Sequence, residues 1–141
     1  MEKSLKSIFV PQGLKPLETP VLAFAFLGDA VHTLAVRAKL LTSGFTKVNN
    51  LHKLASKVCS GAGQSKTLDE IAGVLTENEA DIVRRARNVK THKPPKNLSL
   101  EEYKKATALE CLLGWLLADG QFKRLEQLLS LGLENIKEKI C

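Results

Sequence analysis

"PVLAFAFLGDAVHTLAVRAKLL", residues 20–41, is a stretch in which Asp29 is the only residue certain to be charged between Val21 and Val36. Its length and apolar spacing predict a helix from about Pro20 to Ser43, with Thr19 as N-cap, proline in the first turn and Gly44 as the stop. A second run, "ATALECLLGWLLA" (residues 106–118), repeats the pattern around one carboxylate, Glu110. Burying an unpaired carboxylate is unfavourable by roughly several kcal/mol, so such a group is normally protonated, paired or metal-bound. As the most apolar helices of the chain, the two are expected to be central and to pack on each other, with axes about 8–10 Å apart. Gly28 and Gly114 flank the acids and would permit that approach. Carboxylates facing each other there can share one hard cation such as Mg²⁺, which keeps waters and recruits phosphate oxygens, so the implied substrate is a phosphate or phosphodiester. Read singly, each acid is equally a structural carboxylate paired with an arginine. His32, one turn from Asp29, reads as a structural histidine with its hydrogen bonds satisfied, or as a hydrogen-bond partner of that acid.

The remaining periodic signals are also helical. Leu51, Leu54, Ala55 and Val58 recur at i, i+3, i+4, i+7, predicting a helix from about Val48 through Ser60. Thr67-Leu-Asp-Glu70, Thr76-Glu-Asn-Glu79 and Ser99-Leu-Glu-Glu102 match the capping-box pattern. The second opens a helix to about Asn88, and the third one to Asp119, stopped by Gly120. A final helix is expected from about Gln121 to Lys139. "KTHKPPKN" (residues 90–97) interrupts the pattern, since two consecutive prolines cannot continue a helix. No alternating strand or repeat is present, so the expectation is an all-α helical bundle forming one domain over residues 1–141.

The net charge of +6 has a definite address. Arg84, Arg85, Arg87, Lys90, Lys93 and Lys96 fall between Ile82 and Leu100, where no acid occurs, and the rest of the chain is balanced. Arg84, Arg87, Asn88 and Thr91 share a helix face, and without interleaved acids their repulsion is uncompensated unless a polyanion binds. His32, His52 and His92 lack zinc-ligand spacing, and no glycine-rich phosphate loop is present. Cys59, Cys111 and Cys141 form no CxxC, and the first two lie in apolar helical patterns as buried, reduced thiols. Neither apolar run reads as a membrane span and no signal peptide is evident, so a cytoplasmic protein is expected.

These motifs carry a resemblance. "FLGDAV" (residues 26–31) resembles the signature helix of the ribonuclease III family, and "ATALECLLGWLL" its second acidic helix. Leu51-His52-Lys53, "RRARNVK" (residues 84–90) and Pro95-Lys96-Asn97 are similar to segments of that family's short branch, Mini-ribonuclease III. The resemblance implies a ribonuclease III catalytic-domain-like bundle, dimeric, acting as a Mg²⁺-dependent endoribonuclease on double-stranded RNA. Asp29 and Glu110 match the family's catalytic, magnesium-holding acids. Phe26 matches an aromatic at the dimer interface, and Arg84, Arg85, Arg87, Asn88, Lys90 and Lys96 match an RNA-gripping stretch. Maturation of the 23S ribosomal RNA precursor is implied as the task. Two carboxylates usual in ribonuclease III are replaced by Ala25 and Thr107, a loss the short branch shares, which leaves a thinner metal shell. The chain leaves no room for an appended double-stranded RNA-binding domain, so selection would fall to the catalytic surface, the basic loop or a ribosomal protein or pre-ribosome. The alternatives are a non-catalytic helical RNA-binding or ribosome-associated module, and a helical bundle that binds protein.

Overall fold

The computed structural model describes residues 3–15, 17–90 and 93–140, and every regular element among them is helical. In chain order these are α1 (Lys3–Phe9), α2 (Val21–Thr42), α3 (Val48–Cys59), α4 (Gly61–Ile71), α5 (Glu77–Arg87), α6 (Leu100–Ala118), α7 (Phe122–Gly132) and α8 (Ile136–Ile140), with one 3₁₀ turn at Ala72–Val74.

The two apolar stretches form the axis of the bundle: α2 and α6 make its most extensive helix pair. Their approach is closer than side chains would allow. A Cβ on Gly28 would lie 1.7 Å from the Glu110 carbonyl oxygen, and one on Gly114 would lie 1.9 Å from the Phe24 carbonyl oxygen. The backbones therefore touch where the two acids sit. Against α6 pack α4 and α5, burying Leu68, Ile82 and Ala86 on Leu109, Leu112 and Leu116. A second cluster gathers Val36 and Leu40 of α2 with Leu54 and Val58 of α3 and Ile136 and Ile140 of α8.

Helix ends follow the local chemistry. Gly44 (φ +95°) ends α2, with Gly44 N–H donating to Leu41 O and Phe45 N–H to Leu40 O. Gly120 (φ +75°) ends α6 through the same pair of bonds, to Leu117 O and Leu116 O. Only glycine takes that left-handed turn without strain. The capping boxes at Thr76 and Ser99 both form.

Four expectations are corrected. Pro20, not Thr19, is the N-cap of α2, and the Thr19 hydroxyl donates to Lys15 O instead. Thr67 opens no helix: Ser60 caps α4 by accepting from Gly63 N–H, and Thr67 lies buried inside it, donating to Gly63 O. The last helix is two, because the chain turns at Leu133–Asn135 to bring Ile136 and Ile140 into the second cluster. Finally, α2 is long and apolar enough to cross a bilayer by length and composition alone, though its inner face carries His32 and packs on α6.

Candidate active site

Asp29 and Glu110 project from the point where α2 and α6 touch. Asp29 is exposed, whereas Glu110 is half-buried. The expectation of a buried Asp29 is therefore corrected: it stands at the mouth of the site and Glu110 forms its wall. The two carboxyls are close enough to act directly on each other. Burial first, then the Asp29 hydrogen bond and its like charge, push Glu110 up to about 8, while a hydrogen bond from Gln64 pulls the other way. Two carboxylates this close do not both ionise readily without a cation between them.

Gln64, in the first turn of α4, is a residue that sequence reasoning missed. Its side chain is buried, and its Nε2 lies 3.5 Å from His32 Nδ1. His32 is wholly buried, and burial, then the nearby Lys139 charge, lower it to about 4, against the opposing pull of Asp29. The ring is thus neutral at pH 7. It is not the satisfied structural histidine expected, since its Nε2 has no hydrogen-bond partner among the described residues. Gly61-Ala62-Gly63 just before Gln64 is the one available signal, since small residues let α4 pack tightly. A Cβ on Gly63 would lie 2.4 Å from the Lys57 and Val58 carbonyl oxygens.

Both thiols are poor nucleophiles. Burial, then the Glu110 charge, push the Cys111 thiol up to about 12, and burial raises Cys59 despite a hydrogen bond from Thr33. Cys141, Thr91 and His92 lie outside the described residues.

The basic residues are less uniform than their spacing implies. Arg84 pairs with Asp81 one turn earlier, and Arg87 lies 3.5 Å from Glu101 of α6. The expected uncompensated repulsion is corrected, because acids just outside the basic window reach in. Both arginine pairs are solvent-exposed and therefore weak. Arg85 turns away to a groove of about 210 Å³ lined by Phe24, Asp81 and Trp115. Asn88, Lys90, Lys93 and Lys96 are exposed. Leu98 packs on the start of α4, where a Cβ on Gly61 would lie 2.5 Å from its methyl carbon. Asn97, just before Leu98, turns the chain at φ +70°, and Gly61 itself lies about one helical turn before Gln64. Arg87 is more distant: its partner Glu101 precedes Glu110 by a rise of about 14 Å along α6. Phe26 is 90% exposed on the outer face of α2 and is no part of the core.

With this geometry in hand, the comparisons are specific. The ribonuclease III domain family matches residues 22–121, which spans both acidic helices and the basic loop. The Mini-ribonuclease 3 of Thermoanaerobacter sp. (strain X514) is 38% identical over 98% of this chain and 100% of its own length. That of Symbiobacterium thermophilum is 39% identical over 86% of this chain and 94% of its own. A crystal structure of a Fusobacterium nucleatum protein superposes with a TM-score of 0.73 at 29% identity, covering 83% of this chain and 93% of that one. The two carboxylates meeting on touching helices thus sit inside a matched catalytic domain, and the chain belongs to the ribonuclease III family, in its Mini-ribonuclease III branch, as an endoribonuclease.

Proposed function

We propose that this endoribonuclease cleaves double-stranded RNA with the help of Mg²⁺ bound by Asp29 and Glu110, working as a homodimer in maturation of the 23S ribosomal RNA precursor. The observation that carries this reading is the convergence of those two carboxyls where α2 and α6 touch, with Glu110 raised toward neutrality by burial and then by its neighbour. The donor set fits the ion, because carboxylate oxygens are hard donors and like-charged neighbours gain most from a cation. Among the described residues no third His, Cys, Asp or Glu joins the pair, which leaves coordination positions for water and phosphate oxygens. Mg²⁺ held there would supply positive charge for a phosphate group and would make a water it binds a stronger acid.

The chain's own residues do the rest. Asp29 and Glu110 would hold the cation through their carboxylate oxygens, the same oxygens that a proton on Glu110 would occupy. Arg84, Arg87, Asn88, Lys90 and Lys96 bind the sugar–phosphate backbone, the feature by which A-form duplexes are mainly recognised. Arg85, turned into its groove, contributes long-range charge more than contact. The outer face of α2 exposes Phe26, Leu34 and Leu41, large apolar side chains at helical spacing on the helix that also carries Asp29. A second copy covering that strip relates two sites by a two-fold axis, one for each strand.

The test is cleavage of a structured duplex RNA with Mg²⁺ or with chelator. Asp29→Asn and Glu110→Gln should abolish metal-dependent cuts while the variants remain folded and bind RNA; normal cutting by both removes these residues from the site. Sedimentation of wild type and Phe26→Asp checks the dimer, which the charge should split.

A further inference from the structure

We propose that Gln64 is a positioning residue: its buried amide, steered by His32, holds the Glu110 carboxylate in the orientation that faces Asp29. This rests on the reading of Asp29 and Glu110 as the cation's ligands.

Gln64 is 4% exposed, so its amide must find partners inside the protein. Helix α4 does not need it, because Ser60 supplies the cap. The Gln64 amide nitrogen lies 3.5 Å from His32 Nδ1, and the same side chain acts on the Glu110 carboxyl as a hydrogen-bond donor does, lowering it. An ionised carboxylate only accepts hydrogen bonds, so the NH₂ end of the amide is the end that stabilises it. Flipped, the amide would set its carbonyl oxygen against the carboxylate. His32 decides between the two. Its Nδ1 faces the amide nitrogen, and in the tautomer protonated on Nε2 it accepts there. Its Nε2 is left without a partner among the described residues, an arrangement an apolar side chain would avoid.

Three helices thus fix one carboxylate. Gly28 of α2 lies against the Glu110 backbone, α6 carries the residue, and Gln64 of α4 holds the end of its side chain. Among the described residues only two carboxylates meet here, so the orientation of each matters more than it would in a fuller ligand set. Partners that orient a ligating group typically account for about 10–100-fold in metal affinity or activity.

The experiment uses Gln64→Met, which keeps length and most of the buried volume and removes only the amide. Mn²⁺, followed by electron paramagnetic resonance, probes the site directly. Affinity for Mn²⁺ should fall about 10–100-fold. The kcat for duplex RNA should fall in parallel, with KM within about twofold, because Gln64 acts on Glu110 and not on RNA. His32→Leu should shift both readouts in the same direction by less, since it frees the amide to flip without removing it. Should Gln64→Met not fold, Gln64→Asn carries the same prediction, its amide being one methylene short of both partners. Unchanged Mn²⁺ affinity and kcat in a folded Gln64 variant would overturn the proposal while leaving the nuclease reading intact. A wild type that binds Mn²⁺ but never cuts duplex RNA would overturn the nuclease reading, and the Mn²⁺ titration would still decide the role of Gln64.

Discussion

Glu79 and Glu110 are both drawn into the protein, and the protein treats them oppositely. Glu79, on α5, is 1% exposed, and both its oxygens are satisfied within the chain. Arg124 donates to it from Nε at 2.8 Å and from Nη2 at 2.9 Å, and the Thr76 backbone N–H donates at 2.9 Å. Burial would raise Glu79, but the hydrogen bonds from Arg124 and Thr76 and the Arg124 charge outweigh it, and the carboxyl ends below its ordinary value. Glu110 has no such cation, and burial together with Asp29 pushes it up to about 8. One carboxylate is completed by its own chain; the other is the one we propose is completed by a bound cation. Burial alone does not mark a functional acid, whereas burial against a like charge on touching helices does.

The largest effect should come from moving the Glu110 backbone. Gly28→Ala drives a Cβ into the Glu110 carbonyl, and no side chain can swing aside to relieve a backbone collision. Overpacking of this kind should destabilise by about 3 kcal/mol or more. Cleavage by the molecules that still fold should drop about 100-fold, because α2 and α6 separate by the order of an ångström. Melting curves and single-turnover cleavage check the two parts separately, and a variant as stable and active as wild type would mean the helices are not in contact at this point.

Arg124→Ala should be the next most damaging change, by about 3 kcal/mol, because it leaves Glu79 buried and unpaired. In a chain of this size that is a melting temperature lower by roughly 10 °C. The folded fraction should still bind Mn²⁺ as wild type does, since the pair is remote from Glu110.

Glu110→Gln should do the reverse to stability. For the metal-free protein, a carboxyl raised in the folded state binds its proton there while the unfolded chain has lost it. Stability from this group is therefore full below the unfolded value of 4.5 and is lost as pH rises toward about 8. Glu79 has the opposite sign: its contribution is present above 4.5 and is lost as pH falls through its lowered folded value. The Gln variant at position 110 should thus gain on the order of 1 kcal/mol over metal-free wild type at pH 8, little at pH 4.5, and lose the stabilisation by Mg²⁺. Melting temperatures against pH, with and without Mg²⁺, read this directly.

The same contrast explains what the sequence made legible. Asp29 and Glu110 stood out because each was the lone acid in an apolar run, and Gly28 and Gly114 beside them marked the close crossing. Ser99 and Thr76 announced their helices because a capping box is local chemistry. Thr67 carried the same Thr-x-x-Glu spacing inside a helix already capped by Ser60, where the pattern has no meaning. Gln64 left no periodic trace, since its burial arises only when α2, α4 and α6 converge. The Glu79–Arg124 pair spans 45 residues of sequence, so its cation could not be assigned from the neighbours of Glu79.

The smallest expected change in stability falls on the basic flank, although its effect on RNA should be plain. Arg84 and Arg87 are held by exposed pairs with Asp81 and Glu101, and exposed pairs of this kind are worth at most about 1 kcal/mol and often nothing. Replacing Arg84, Arg87 and Lys90 together by Ala should leave the melting temperature almost unchanged, at under about 0.5 kcal/mol per site. Affinity for duplex RNA should fall, and the slope of log affinity against log salt should shrink by about one for each phosphate contact removed. The two acids that pair with the arginines sharpen the point. Asp81→Asn and Glu101→Gln release the guanidinium groups from their intramolecular partners, so RNA affinity at low salt should rise slightly in that double variant. A loss of affinity there, or a collapse of stability in the triple variant, would show that these arginines complete the fold as Arg124 does and do not hold RNA.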